Sequence, residues 1–377
     1  MSAVRLAGGK LTMKDGSLIC DDSSQKRVAG KFPEGKLISF GPAGAVWMQS
    51  GELIMEPGSR IDNVYGRSIY NEQGTATIGG TISNGRAAGN VMLQNDGSYA
   101  AGYLVYLRNG AQMTLTSTGV IEDTEGGNTV NQKGTAIYVM GGSEIITEEN
   151  SEIRNLHNDD RIIYAEVGGN SGSFGGKIYN CRMNNAIGFS GASEDDPYYA
   201  YIAPSASFYN NECVNYGIIY LQSPGTLDFY GKIYNNTIGN TGGGIALANN
   251  MTGTKAIMYE GAEITNNTVE CTYNKWEGQK NYGGGGVTVR CGTFIMEGGV
   301  ISNNLVRNTK FDPADCFGGG VQVTRGGTFI MNGGEITNNA TMGSGGGVGY
   351  NGSIYQELDS QVHINGGTIS GNKMHVT

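Results

Sequence analysis

The chain is poor in the residues on which most acid–base enzymes and metalloproteins depend. It has only three histidines, and its six cysteines form no CxxC pair. The scarcity of histidine excludes most general-base and metal-ligand schemes, and the cysteine spacing gives no zinc signature. The acidic turns lack the spacing of a calcium-binding loop. We therefore expect no metal site and no cofactor.

Long apolar runs and clusters of basic residues are also missing. No stretch approaches the ~20 apolar residues of a membrane helix, so we expect no membrane insertion. The formal net charge is −9, and the lysines and arginines are scattered. Since there is no basic stripe, we expect no nucleic-acid partner. The 64 glycines disfavour helices, because each interior glycine costs roughly 1 kcal/mol against alanine.

A motif that returns almost unchanged down the second half of the chain dominates the sequence. It consists of an apolar run, two glycines, an isoleucine and paired asparagines. Its clearest copies are residues 294–304 and 329–339, and a further copy lies at 363–372. Self-similarity at such a period identifies a repeat protein.

Weaker copies of the motif extend toward the N-terminus. With the isoleucine before the asparagines as a marker, the copies lie at positions 61, 82, 121, 153, 178, 233, 264, 301, 336 and 369. The gap between 178 and 233 predicts one more degenerate copy at residues 207–211. About eleven rungs, each one winding of the chain, therefore fill the sequence.

The spacing within each copy is that of short strands. Apolar residues alternate with small or polar ones, as in residues 328–331 and 334–337, and glycine clusters precede a second short strand at 318–323. Short strands, glycine turns and this repeat length predict an all-β fold, a single-stranded right-handed parallel β-helix of the pectate-lyase type. We expect the inward isoleucines, valines and phenylalanines to form parallel stacks.

The paired asparagines suit the corners of such a coil. Asparagine tolerates the left-handed backbone conformation, and its amide can bond to the backbone or to the same asparagine one rung away. The sequence predicts an asparagine ladder, formed by Asn235 and Asn236, Asn266 and Asn267, Asn303 and Asn304, and Asn338 and Asn339.

One continuous domain accounts for the whole chain. We assign residues 1–45 to an N-terminal cap with the first strands and residues 46–377 to the β-helix. Residues 373–377 show no capping element, whereas solenoids need polar caps over their open edges. We therefore expect that more chain, or a partner, covers the C-terminal end.

The cysteines allow two interpretations. Cys181 and Cys213 follow asparagines of neighbouring rungs, and Cys271 and Cys316 fall in equivalent loops. Stacked sites lie roughly 4.8 Å apart, which is compatible with a disulfide. The alternative, which we favour, is that all six cysteines are buried, reduced and fill the core.

The repeats resemble those of a known class of proteins. A glycine pair followed by Val or Ile, combined with Ile-x-x-Asn or Phe-x-x-Asn at residues 208–211, 264–267, 301–304 and 336–339, is similar to the β-helix repeats of bacterial cell-surface adhesins. The likeness is to large surface proteins of gut Firmicutes and, more distantly, to chlamydial polymorphic outer-membrane passengers. It covers nearly the whole chain and implies an extracellular or cell-surface protein that contacts a glycan or a host surface.

An enzyme on this scaffold would need carboxylates that converge on one strand face, separated by ~5 to 9.5 Å. The candidate catalytic residues form two groups, which are Asp159, Asp160 and Arg161, and Glu194, Asp195 and Asp196. A polysaccharide lyase or a glycoside hydrolase is thus the alternative function. Solvated loop carboxylates explain both groups better.

Two long loops offer a candidate binding site. Residues 268–282 and 305–317 are inserted at the same point of adjacent rungs, so they should emerge side by side. Exposed aromatic rings flanked by charged groups are typical of a sugar-binding face. The candidate ligand-binding residues are Tyr273, Trp276, Lys280, Tyr282, Arg307, Lys310, Phe311 and Asp312. The competing interpretation is that Trp276 and Phe311 fold down onto the solenoid.

The sequence as a whole favours an extracellular adhesin-like or stalk module that binds a glycan or a host surface through its long loops. A polysaccharide-active enzyme is the first alternative. A purely structural spacer is the second, because this fold supports all three roles.

Overall fold

The computed structural model describes residues 3–20, 45–62, 64, 67–85, 102–124, 134–157, 160–166, 168–240, 242–247, 253–270, 282–308, 316–351 and 359–375. All regular secondary-structure elements in these ranges are β-strands. No helix long and apolar enough to cross a membrane occurs among them.

The strands stack in four ladders. The first contains β1 Val4–Met13, β3 Val46–Met55, β5 Ile69–Asn71, β8 Gly102–Leu107, β11 Gly134–Met140, β14 Arg161–Glu166, β18 Asn185–Ser190, β22 Ile219–Leu221, β26 Ile245–Leu247, β31 Val287–Val289, β36 Val321–Thr324 and β40 Val348–Asn351. The second contains β6 Thr75–Ile78, β9 Gln112–Leu115, β12 Glu144–Thr147, β15 Ser171–Phe174, β19 Tyr198–Ile202, β23 Gly225–Phe229, β27 Thr254–Met258, β32 Thr293–Met296, β37 Thr328–Met331 and β41 Gln361–Ile364.

The third ladder contains β2 Leu18–Cys20, β4 Arg60–Asp62, β7 Thr81–Ser83, β10 Val120–Glu122, β13 Glu152–Arg154, β16 Lys177–Tyr179, β20 Ser207–Tyr209, β24 Lys232–Tyr234, β28 Glu263–Thr265, β33 Val300–Ser302, β38 Glu335–Thr337 and β42 Thr368–Ser370. The fourth contains β17 Arg182–Met183, β21 Glu212–Cys213, β25 Thr237–Ile238, β29 Thr268–Glu270, β34 Leu305–Arg307 and β39 Ala340–Thr341. A separate pair joins β30 Tyr282–Gly283 to β35 Cys316–Phe317.

These ladders form a nearly closed, parallel-strand solenoid. In each complete rung the chain passes through the ladders in order and then enters the first ladder one rung higher. Paired strands of successive rungs run in parallel, as β16 does with β20 and β31 with β36. The long strands β1 and β3 extend across the first and second ladders and join them into one sheet. The predicted repeat architecture is confirmed at this level.

The marker isoleucines form the predicted inward stack. Ile264, Ile301 and Ile336 lie directly above one another in the third ladder and are fully buried. Phe208 takes the same position in β20, which confirms the degenerate copy predicted at residues 207–211. Burial of these side chains, each contributing roughly 1.5–3 kcal/mol, supplies the core of every rung.

The asparagine ladder is confirmed, and the two residues of each pair have different structural roles. The first residue takes the left-handed conformation, with φ of 56° at Asn266 and 55° at Asn303. The second is buried and bonds along the solenoid axis. Its side-chain oxygen accepts from the backbone N–H and the side-chain amide one rung below, as Asn304 does from Asn267 at 3.0 Å and 3.0 Å.

The third ladder holds twelve strands, one more than the repeats indicate. The additional strand is β2, which pairs with β4 through Ile19 and Ile61. Residues 18–20 carry neither the glycine pair nor the asparagine pair, so the motif cannot reveal them. We number the rungs 1 to 12 by their third-ladder strands.

The cysteines differ from the expectation in two respects. Cys20 is exposed, so the six are not all buried. Cys181 and Cys213 are buried with free thiols, but they are not equivalent in register, since Cys213 stacks on Met183 while the Cys181 N–H donates to the Asn211 side chain. This offset explains why they do not form a disulfide. Cys271 lies outside the described residues.

Rung 12 exposes side chains at positions that are buried in the rung below. Ile364 and Ile369 are 49% and 42% exposed, whereas their register partners Met331 and Ile336 are buried. Among the described residues, no further strand pairs with β42.

Candidate functional site

The outward side of the first ladder carries a row of tyrosines. Side chains of a strand alternate between its two faces, so the residue between two inward apolar positions points away from the core. In register, this row contains Tyr70, Tyr106, Tyr138, Tyr164, Gly188, Tyr220, Ala246, Thr288, Gln322 and Gly349. We call this row, with the polar side chains packed beside it, the first-ladder face.

The tyrosines of rungs 3 to 5 stack on one another. The ring centroids of Tyr70 and Tyr106 are 5.2 Å apart with planes 6° from parallel, and those of Tyr106 and Tyr138 are 5.4 Å apart. Tyr103 adds a further ring, 4.4 Å from Tyr138. Burial raises the pKa of Tyr70 and of Tyr103 to about 12. These phenols are therefore neutral hydrogen-bonding groups at physiological pH.

Arginine side chains cover the edge of this stack. The guanidinium of Arg67 lies 4.8 Å from the ring centroid of Tyr70 and 5.0 Å from that of Tyr106. Burial lowers the pKa of Arg67. On the other side, Arg108 pairs with Glu72 at 2.6 Å. The aromatic row is thus bordered by donors that are held in fixed positions by cation–π contact and ion pairing.

Gly188 interrupts the tyrosine row, and Arg161 occupies the vacant space. A Cβ at Gly188 would lie 2.6 Å from Cδ of Arg161, so the glycine is required for this close approach. The Arg161 guanidinium lies 3.8 Å from the Tyr164 ring centroid, and its Nη2 donates to Gln222 at 3.0 Å. Beside it, the hydroxyls of Tyr164 and Ser190 form a hydrogen bond.

The face changes character beyond rung 8. Tyr220 is buried against Tyr216, with ring centroids 4.3 Å apart, and burial raises its pKa. Above it the row continues with small or amide side chains. The Thr288 hydroxyl donates to the Gly283 carbonyl at 2.9 Å. The half-buried Arg290 lies on this side of the first ladder, directly after β31.

The two predicted catalytic groups lie at different places on the solenoid. Asp159 lies outside the described residues. Asp160 accepts a hydrogen bond from Thr135 at 2.8 Å and lies 3.6 Å from Arg161. Arg161 itself belongs to the first-ladder face.

The second predicted catalytic group is an exposed turn. Glu194, Asp195 and Asp196 follow the first-ladder strand of rung 7, and the Asp196 N–H donates to the Ser193 hydroxyl at 3.2 Å. Asp160 precedes the first-ladder strand of rung 6. Because a six-residue strand spans about 20 Å, the two groups are too far apart to act on one glycosidic bond.

The long loops predicted to bind a ligand begin and end on adjacent rungs. Their entry strands β29 and β34 pair through Thr268 and Leu305, and their exit strands β30 and β35 pair through Tyr282 and Cys316. Arg307 forms an ion pair with Glu270. Tyr273, Trp276, Lys280, Lys310, Phe311 and Asp312 lie outside the described residues.

Within the described ranges, no three His, Cys, Asp or Glu side chains lie close enough together to hold a metal ion.

The sequence contained a signal for the tyrosine row that the repeat motif obscured. An apolar residue followed by tyrosine recurs at Ile69-Tyr70, Val105-Tyr106, Ile137-Tyr138, Ile163-Tyr164 and Ile219-Tyr220. The first four pairs are separated by one rung each, and the last interval spans two rungs. Once the ladders are known, the same spacing places all five rings on one face.

Comparison with known proteins assigns no family and no function to the chain. No protein-family model, no curated protein and no solved structure shows significant similarity to the chain.

Proposed function

We propose that this protein is a right-handed parallel β-helix that acts as an adhesin-like module at a bacterial cell surface and binds a glycan along the first-ladder face. The right-handed assignment rests on a general preference, since connections between parallel strands are right-handed in about 98% of cases. The extracellular location rests on the resemblance of the repeats to those of surface adhesins.

The observation that carries glycan binding is the row of tyrosines bordered by arginines. Aromatic rings contact the apolar face of a pyranose, while guanidinium, hydroxyl and amide groups bond to its hydroxyls. Tyr103, Tyr106 and Tyr164 are half-buried, so part of each side chain is accessible. Because the rings of rungs 3 to 5 lie face to face, the half-buried ones present their outer edges and hydroxyls to a sugar, beside the arginines that border the row.

The length of the strip fits an extended polymer. Between the half-buried Tyr106 in rung 4 and the half-buried Tyr216, which packs against Tyr220 of rung 8, there are four rung steps of roughly 4.8 Å, or about 19 Å in total. A chain of several sugars lying along the solenoid axis would contact successive rungs.

The long loops supply a second candidate contact region. The strands β30 and β35 lead from the loops directly into the first ladder of rungs 10 and 11. Trp276 and Phe311, which the sequence predicts as ligand-binding residues of these loops, are therefore a second place to test for glycan contact.

A glycan array with matched variants tests the proposal. The wild-type chain should give saturable binding without release of sugar products. Replacing Tyr103 and Tyr164 with alanine should weaken binding by about tenfold or more, equivalent to about 1.4 kcal/mol. The control variant replaces Tyr179 and Tyr234, which belong to a stacked tyrosine row on the third ladder, and should bind normally.

The proposal fails if the wild-type chain binds no glycan, or if the control variant loses as much affinity as the face variant. A Trp276→Ala/Phe311→Ala variant measured in parallel separates the loops from the face. Circular dichroism and thermal unfolding of each variant establish that it remains folded.

A further inference from the structure

An aspartate on the outward side of the second ladder is held by two tyrosine hydroxyls. Asp228 lies in β23 and stacks in register on Tyr201 of β19. Its Oδ2 accepts a hydrogen bond from the Tyr199 hydroxyl at 2.9 Å, and its Oδ1 accepts one from the Tyr259 hydroxyl at 3.1 Å. Tyr199 is 47% exposed, while Asp228 and Tyr259 are half-buried. A small oxidant in solvent can therefore reach this group.

Tyr259 also stacks on a further tyrosine. The ring centroids of Tyr230 and Tyr259 are 4.3 Å apart, with planes 1° from parallel. Tyr230 follows β23 and Tyr259 follows β27. The backbone N–H of each donates to the rung below, Tyr230 to the Ile202 carbonyl at 2.9 Å and Tyr259 to the Phe229 carbonyl at 3.1 Å. Backbone pairing therefore holds the two phenols in contact, one rung apart.

Asp228 makes no ion pair with a basic side chain in the described part of the chain, unlike Glu72, which pairs with Arg108 at 2.6 Å. No cation thus competes with a proton for its oxygens. Burial and the hydrogen bond to Asp228 raise the pKa of Tyr259 to about 12, so this phenol is neutral at physiological pH. Its oxidation must release a proton together with an electron, and the carboxylate that already accepts its O–H can take up that proton.

We propose that Tyr230 and Tyr259 are a site of oxidative cross-linking, at which a peroxidase and hydrogen peroxide join the two rings as dityrosine while Asp228 accepts the phenolic proton of Tyr259. This site lies on the second ladder and does not depend on glycan binding at the first-ladder face. The new bond ties rung 8 to rung 9, and a covalent cross-link of this kind limits the conformational freedom of the unfolded chain.

The reaction removes one electron and one phenolic proton from each ring. The proton of Tyr259 passes to Asp228 and that of Tyr230 to solvent. The two phenoxyl radicals form a carbon–carbon bond between ring positions next to the hydroxyls, and the hydrogen at each of these positions then leaves as a proton and restores a hydroxyl. In total the protein loses two hydrogen atoms, and one hydrogen peroxide is reduced to two water molecules. Because the rings are already in contact, coupling within the chain is favoured over coupling between molecules.

Peptide mapping by mass spectrometry, after treatment of the whole chain with a peroxidase and limiting hydrogen peroxide, tests the proposal. We expect a Tyr230–Tyr259 cross-link that is lighter than the two separate peptides by two hydrogen atoms and shows dityrosine fluorescence. Its yield should stay constant when the protein is diluted about tenfold, since both rings belong to one chain. Absence of this cross-link, or a yield that falls on dilution, would overturn the proposal.

The tyrosine row on the third ladder supplies a matched control within the same chain. Tyr209 and Tyr234 stack with ring centroids 5.1 Å apart and planes 6° from parallel, and neither hydroxyl donates to a carboxylate among the described residues. We expect the Tyr230–Tyr259 cross-link to exceed the Tyr209–Tyr234 cross-link by about tenfold or more, because a positioned proton acceptor typically accelerates proton release by at least that factor.

Asp228→Asn removes the proton acceptor with little change in the shape of the side chain. It should bring the ratio of the two cross-links close to one. Circular dichroism establishes that the variant is folded, and the wild-type ratio needs no variant, so a folding defect in Asp228→Asn leaves the test decisive. Equal yields in the wild-type chain, or an unchanged ratio in Asp228→Asn, would overturn the role of Asp228.

Discussion

The two halves of the solenoid build the same corner from different side chains. In rungs 7 to 12 the corner residue is always asparagine, from Asn211 to Asn372, and each is bonded to the next. All of them are buried except Asn372, which is half-buried. In rungs 5 and 6 the equivalent residues are Leu156 and Cys181, which are also buried. The backbone is nevertheless unchanged, since Asn155 and Asn180 have φ of 58° and 54°.

The outward surface shows the opposite trend. Rungs 3 to 6 have tyrosines in ring contact on the first ladder, where rungs 9 to 12 have Ala246, Thr288, Gln322 and Gly349. The C-terminal rungs thus repeat the corner residue closely, and they carry no aromatic side chain in this outward row. The difference teaches that the left-handed turn is the common requirement, while the corner side chain and the outward row are free to vary. Side chains of the outward row can therefore differ from rung to rung without disturbing the turn.

Alkaline pH should have the largest effect, because it should destabilise rungs 3 to 8 more than rungs 9 to 12. Groups whose pKa is raised mainly by burial are concentrated in rungs 3 to 8, where they are Tyr70, Tyr103, Cys181, Tyr198, Tyr209, Cys213 and Tyr220, while rungs 9 and 10 contribute Tyr259 and Cys291. The pKa of Cys181 is about 12 against an ordinary value of 9. A raised folded-state pKa means that the folded chain keeps its proton. The stabilisation is complete below pH 9 and is lost as the pH rises toward 12.

For the fully buried Cys181, this loss amounts to about 1.4 kcal/mol per pH unit within that range. Hydrogen exchange measured between pH 8 and 11 should show rungs 3 to 8 losing protection before rungs 9 to 12. Tyr70→Phe and Tyr103→Phe together should make the decline shallower. Uniform loss of protection along the solenoid would contradict this expectation.

Replacing one residue of the asparagine ladder should give the next largest effect. Asn267 donates to the Ile233 carbonyl at 3.1 Å and to Asn304 at 3.0 Å, and it accepts from Asn236 at 2.9 Å. In Asn267→Leu these groups become buried without partners, each costing about 1–3 kcal/mol. We expect a destabilisation of about 3 kcal/mol or more in denaturant unfolding. If the free energy of unfolding fell by no more than it does for an ordinary surface substitution, the asparagine ladder would not be needed for stability.

The left-handed corners should respond equally in both halves. Alanine at Asn180 or at Asn266 should cost about 1–2 kcal/mol, because both residues have positive φ and alanine disfavours it. Glycine at either position should be nearly neutral, and it serves as the matched control. Thermal unfolding of the four variants checks this. Unequal costs at the two positions would mean that the corners are not equivalent.

Extending the asparagine ladder by one rung should have the smallest effect. The Cys181 N–H already donates to Asn211 at 3.0 Å, and the Cys181 thiol points toward the Tyr179 and Ile153 carbonyls. An asparagine amide could donate to those carbonyls in the same way. We expect Cys181→Asn to change the unfolding free energy by less than about 1 kcal/mol. The reverse substitution, Asn211→Cys, should be clearly destabilising.

The repeats predicted the scaffold because each copy contains the residues that define its own strands and corners. The isoleucine markers identified the inward stack, and the asparagine pairs identified the corners, including the degenerate copy at residues 207–211. The strand at residues 18–20 was not predicted, because it pairs with β4 through backbone hydrogen bonds that require no particular side chain. The choice between a paired and an unpaired Cys181 and Cys213 could not be made from the sequence for a related reason, because a two-residue offset in register cannot be read from spacing alone.

The candidate site was not predictable to the same degree. Tyr70, Tyr106, Tyr138 and Tyr164 lie 26 to 36 residues apart along the chain, separated by loops of unequal length. Only the register between strands brings their rings within about 5 Å of one another. Arg161 illustrates the same point, since its place over Gly188 depends on the glycine of the next rung.

The sequence by itself determined that this protein repeats, that its elements are short strands, and which residues face inward or turn the corners. These properties follow from local backbone preference and from the alternation of side chains along a strand. The tertiary structure decided the register between rungs, and with it the tyrosine row and the approach of Arg161 to Gln222. Contacts between rungs depend on loop lengths that the repeats leave open, so only stacking determines which outward side chains meet.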